Sequence, residues 1–83
     1  MNSDRYFRTQ KFNLSVFLYT KDQVIVGVNP IAPRTKEFAF LESEELEELI
    51  DIYRFGDKDN PLLLIPVRKY EQARNELLDM LKD

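Results

Sequence analysis

The sequence predicts an α+β domain: a small antiparallel sheet of three or four strands with helices packed on one face. Two β-rich segments follow one another at residues 24–29 (VIVGVN) and 36–41 (KEFAFL). Two amphipathic helical patterns then fill the second half. Strands grouped before helices, rather than alternating with them, is the pattern of an α+β fold. The length of 83 residues suits one domain, residues 1–83, with one core. Size scaling gives it a folded surface of roughly 5,200 Å².

The elements follow in order. Residues 5–9 read as a short strand, with Tyr6 and Phe7 as its β-favouring residues. Residues 12–20 admit two readings. As a strand, Phe12, Leu14, Val16 and Leu18 alternate onto one face. As a helix, Leu14, Phe17 and Leu18 form an i, i+3, i+4 triplet behind an Asn13 cap. The alternation slightly favours the strand. Residues 24–29 form a β-branched strand ended by Pro30. Pro30 and Pro33 punctuate a six-residue connection to the strand at 36–41, making an antiparallel hairpin.

Ser43 caps the next helix, and Glu44, Glu45, Glu47 and Glu48 complement the positive end of its dipole. Leu46, Leu49, Ile50 and Tyr53 make its buried stripe, and Gly56 is placed to end it in a left-handed cap. Residues 62–65 lie between Pro61 and Pro66 and read as extended, a short edge strand. Pro66 opens a last helix whose inner stripe is Val67, Tyr70, Ala73, Leu77, Leu78 and Leu81. The expected core comprises Phe12, Leu14, Phe17, Leu18, Val24, Val26, Val28, Phe38, Phe40, Leu46, Leu49, Ile50, Tyr53, Val67, Tyr70, Ala73, Leu77 and Leu81.

Phe7 and Thr9, then Leu14, Phe17 and Leu18, then Phe38 and Phe40, and finally Pro66, Tyr70, Ala73 and Leu77 together resemble a small family of uncharacterised prokaryotic and phage proteins. That family has an aromatic-x-Thr opening, an apolar helix ending at a Lys-Gly turn, a Phe-x-Phe strand and a Val-Pro-led final helix. The resemblance spans roughly residues 6–81. It implies a helix over residues 13–21 and hence the order β-α-β-β-α-(β)-α. Asp22 stands where the family's turn has glycine, and Asp tolerates the left-handed conformation better than most residues. The family has no established activity, so the resemblance implies a fold and no function.

Composition removes much chemistry. The chain has neither Cys nor His. Disulfides, thiol nucleophiles, imidazole bases and thiolate or imidazole metal sites are therefore absent from it. Residues 1–10 are polar and carry no apolar signal core, and no apolar run approaches a membrane span. A cytoplasmic location and no membrane association are expected. Two glycines cannot build a phosphate-cradling loop. The carboxylates of Glu42, Glu44, Glu45, Glu47, Glu48 and Asp51 read as a solvated helix face. Residues 57–60 lack the spacing of a calcium loop. No metal, no cofactor and no catalytic residue is expected, and the chain reads as a non-enzyme.

The net charge of −3 is unevenly placed: residues 1–36 balance to +4 and residues 37–83 to −7. Two binding readings follow. The first is an interaction module for another protein, or for a second copy of itself. Its candidate residues are Leu62, Leu63 and Leu64, a possible dimer seam, together with the acidic face of Glu44, Glu47, Glu48 and Asp51. An exposed edge at residues 5–9 or 62–65 is a further device for it. The alternative is a small nucleic-acid-binding protein. In it Arg5, Tyr6, Arg8 and Lys11 interleave charge and ring on a strand, and Lys21, Arg34 and Lys36 extend the patch.

Overall fold

The computed structural model describes residues 5–82. Asp4 and Asp83, counted in the charge balance above, lie outside the described residues. The elements are β1 (Tyr6–Thr9), α1 (Phe12–Thr20), β2 (Ile25–Ala32), β3 (Thr35–Leu41), α2 (Glu44–Phe55), a 3₁₀ turn (Pro61–Leu63) and α3 (Val67–Leu81). The sheet is antiparallel with order β1-β3-β2, so β3 is central and both neighbours are edges.

The first ambiguity resolves as a helix. Leu14, Ser15, Val16, Phe17, Leu18 and Thr20 of α1 are all buried, so the helix has almost no polar face. A short helix that is apolar all round looks like an alternating strand to any periodicity count. Its two buried hydroxyls bond back into the helix: Ser15 Oγ donates to Lys11 O at 2.9 Å and Thr20 Oγ1 to Phe17 O at 2.6 Å. The expected Asn13 cap is not used. Instead Lys11 is the N-cap residue, and its N–H donates to Thr9 Oγ1 at 3.1 Å. The helix ends at Asp22, which adopts φ 64°, the left-handed turn that the family resemblance assigned to glycine.

Helix α1 contacts both α2 and α3. Its side chains join Phe38 and Phe40 of β3 in one core cluster with Leu46, Leu49, Ile50, Ala73 and Leu77. All three helices therefore lie on one face of the sheet, in a slab of 37 × 35 × 18 Å. Its accessible surface, 5976 Å², exceeds the roughly 5,200 Å² of a compact chain this size, as a thin two-layer shape requires.

Several expectations are corrected. Residues 62–65 are not a strand: residues 61–63 make a 3₁₀ turn, and Asn60 Oδ1 accepts the Leu62 N–H at 2.9 Å. This segment forms a strap that contacts α2, and its Leu63 and Ile65 line a groove with Phe17, Tyr53 and Tyr70. Leu63 and Ile65 pack on the core, whereas Leu62 and Leu64 face solvent. The hairpin loop is two residues, Pro33 and Arg34, not six, because β2 runs on through Pro30 as an edge strand, where a missing N–H is tolerated. Gly56 ends α2 at φ −68°, not left-handed. Glycine is required there by close approach: a Cβ would sit 2.4 Å from the Ile52 carbonyl oxygen.

Strand β2 carries the correction that matters most. Ile25 pairs with Phe40 and Gly27 with Ala39, so Val26 is an inserted bulge residue. The bulge resets the alternation. Ile25 and Val28 pack on the core, and Val24 and Val26 turn outward. Val67 and Tyr53 are also more exposed than expected. Val67, at the first position of α3, is 72% exposed, and Tyr53 lies at the core's margin with its ring centroid 5.3 Å from that of Phe17.

These assignments separate covered from open positions. Leu77→Ala should cost about 2–5 kcal/mol, the range for a fully buried leucine, whereas Val24→Ala should stay within about 0.5 kcal/mol. Denaturant melts followed by circular dichroism measure both. Equal costs would place Val24 in the core.

Candidate functional site

The site is the sheet face opposite the helices. In antiparallel pairs, cross-strand partners share a face. Phe7, Phe40 and Ile25 therefore point inward together, and their neighbours Tyr6, Leu41 and Val24 point outward. The Leu41 N–H donates to Val24 O at 3.0 Å, which holds these two side by side. Next along the sheet come Arg8, Ala39, Gly27 and the bulged Val26, then Glu37 and Asn29. Tyr6 is 37% exposed, Leu41 42%, Val24 54% and Val26 46%; Ile31, at a second register shift beside the hairpin turn, is 46% exposed. The result is a continuous apolar surface held by backbone register, not a scatter of single residues.

Charge on this face is sparse. Arg8 Nε lies 3.5 Å from Glu37 Oε2, a diagonal pair crossing beside Ala39. Ala39 is only 4% exposed although it lies on the open side, because its neighbours on both strands cover it. A guanidinium has five N–H donors. Among the described residues no other acidic group pairs with Arg8.

The edges flanking the face are blunted. Strand β1 is four residues long, and β2 carries two register shifts and Pro30. Short length, bulges and proline all oppose addition of another strand.

The basic residues of the nucleic-acid reading are not brought into one patch. Arg5 O accepts the Glu42 N–H at one end of β1, while Lys11 follows its other end, roughly 13 Å along at strand rise. Lys21 sits 5.8 Å from the Phe17 ring at the C-terminus of α1. Arg34 occupies the hairpin tip, and Lys36 Nζ donates to Leu81 O at 2.7 Å, which ties β3 to the end of α3. Tyr6 and Arg8 belong to the open sheet face.

The acidic residues expected to bind protein lie on α2. Glu44, Glu47, Glu48 and Asp51 are exposed. Glu47 and Asp51, with Glu42, rim an open groove of about 410 Å³ floored by Phe7, Leu46 and Ile50. Of the candidate seam, Leu62 and Leu64 are exposed and Leu63 faces the core. Among the described residues no three carboxylates gather closely enough to hold a metal ion. No helix among them is long and apolar enough to cross a membrane.

A second open groove, also about 410 Å³, runs between α1 and α3. Within it Tyr19 Oη donates to Glu76 Oε1 at 2.7 Å, a contact joining the two helices that sequence spacing gives no means of finding. That hydrogen bond, then burial, then the Glu76 charge hold the Tyr19 hydroxyl above its ordinary 10.0. No family model, curated protein or solved structure matches the chain.

Because the folded pKa of Tyr19 is raised, its stabilisation is fully present below the unfolded value and is lost as pH rises through the folded one. Tyr19→Phe should cost about 0.5–1.5 kcal/mol at neutral pH, the net worth of one hydrogen bond. Stability curves for wild type and variant should converge in strongly alkaline solution. A constant gap would deny the linkage.

Proposed function

We propose that this chain is a non-enzymatic interaction module of the cytoplasm that binds protein through the open face of its sheet. The observation that carries the reading is the register-held apolar surface of Tyr6, Leu41, Val24 and Val26 on the side the helices leave bare. Antiparallel sheets often leave one face to solvent, but that face then alternates to polar residues. Here the outward positions at one end are Tyr6, Leu41, Val24 and Val26, with Arg8, Glu37 and Asn29 following along the sheet. The core does not need them, since Ile25, Val28, Phe38 and Phe40 already fill the inner side.

The missing imidazole and thiol support a role by contact rather than by chemistry. Leu62 and Leu64 remain a lesser apolar feature, on a strap whose neighbours are turns rather than a rigid sheet. Nucleic-acid binding has weaker support. Its basic residues are dispersed over both ends of the sheet, and Arg8 already faces Glu37. A neutralised arginine contributes little counterion release.

Substituting Val26→Glu or Leu41→Glu should leave the fold and melting temperature close to wild type while abolishing retention of a bound protein partner on the immobilised chain. Glu48→Lys should not. Partner retention unchanged by both face variants would refute the reading. Retained nucleic acid that elutes with salt, read by absorbance, would replace it.

A further inference from the structure

Resting on that reading of the sheet face, we propose that its occupant is a second copy of this chain, packed sheet on sheet across a two-fold axis as a weak homodimer. Two properties point to self-recognition, and a third sets its strength. The first is charge. Among the described residues the face holds one cation, Arg8, and one anion, Glu37, so they make it neutral in a chain of net charge −3, able to meet its own copy without repulsion. The outward face of α2, with Glu44, Glu45, Glu47, Glu48 and Asp51, would oppose its own copy at every approach.

The second property is complementarity under symmetry. A two-fold contact must match a patch to itself, residue i meeting j while j meets i. Arg8 and Glu37 suit this. The Arg8 side chain is 56% exposed, and its Nε lies 3.5 Å from Glu37 Oε2. With five N–H donors and more than half of its side chain exposed, that guanidinium can also take the other copy's Glu37, turning two diagonal pairs into a four-charge arrangement. Around it, Tyr6, Val24, Val26 and Leu41 meet their equivalents as the inner layer of a β-sandwich, whose sheets pack about 10 Å apart.

The third property is area. Strand rise and spacing make the face about 25 Å by about 14 Å at its widest, and with β1 only four residues long on the order of 300 Å² in plan. That is below the ~800 Å² per partner of a standard stable interface and in the class of weak associations. The dimer should accordingly have a dissociation constant on the order of 10⁻⁵ to 10⁻⁴ M. Edge-to-edge pairing is the less favourable geometry, because β1 is short and β2 is bulged.

Sedimentation of the whole chain from about 5 to about 1,000 μM tests this over the range such a constant requires. Wild type should pass from monomer to dimer. Val26→Glu should weaken association at least about tenfold, Arg8→Glu should weaken it, and adding Glu37→Arg to Arg8→Glu should restore it. Leu64→Gln should change nothing, and circular dichroism should show every variant folded. A chain monomeric throughout overturns the inference, as does a dimer that survives Val26→Glu or is lost with Leu64→Gln. If the wild type stays monomeric while Val26→Glu still abolishes capture of a different protein, the interaction reading stands and only the second copy falls.

Discussion

The structure depends on covering α1. A nine-residue helix that buries Leu14, Val16, Phe17 and Leu18 together has no side it can leave to water. Phe38 and Phe40 of β3 join its core cluster, α2 and α3 contact it, and Leu63 and Ile65 of the strap pack against the same cluster near Phe17. Each buried aliphatic side chain contributes about 1.5–3 kcal/mol against exposure, so the arrangement accounts for much of what a small domain can muster. Ties between elements reinforce it. Tyr19 reaches Glu76, Lys36 reaches Leu81 O, and Gln23 Nε2 donates to Glu45 at 3.0 Å.

That demand has a consequence for the sheet. Three helices and a strap are all committed to one side, and among the described residues nothing is left to cover the other. The open face is thus a by-product of burying α1, and its apolar character is what makes it informative. Exposed valines cost solubility unless something meets them. The blunted edges fit the same picture, since a sheet with a sticky face is safer without a sticky rim.

The sequence made the architecture legible wherever one periodicity dominated. Ser43, the run of glutamates and the Leu46–Leu49–Ile50 stripe defined α2, and the Ser43 hydroxyl does accept the Leu46 N–H at 3.0 Å. Phe38 and Phe40 identified β3 and its inner face. The failures have physical causes. Helix α1 lacks a polar face, so spacing could not distinguish it from a strand. Strand β2 contains a bulge, so one alternation cannot hold on both sides of it: Val28 faces inward as its spacing predicts, whereas Val24 and Val26 do not. Gly27, isolated within a β-branched run, was the one available sign of it. Because Val24 and Val26 were assigned to the core, the open face could not be seen in the sequence. The more conspicuous apolar signal is the four-residue run Leu62, Leu63, Leu64 and Ile65, which the strap divides between core and solvent.

The central claim is that helices cover one side of the sheet and leave Val24, Val26 and Leu41 bare on the other. Methyl NMR of the dilute chain with a soluble paramagnetic agent tests it most directly. The account predicts strong relaxation of the Val24, Val26, Ile31 and Leu41 methyls, with those of Leu14, Val16 and Leu18 protected. Val24 and Val26 methyls as protected as Val16 would contradict it.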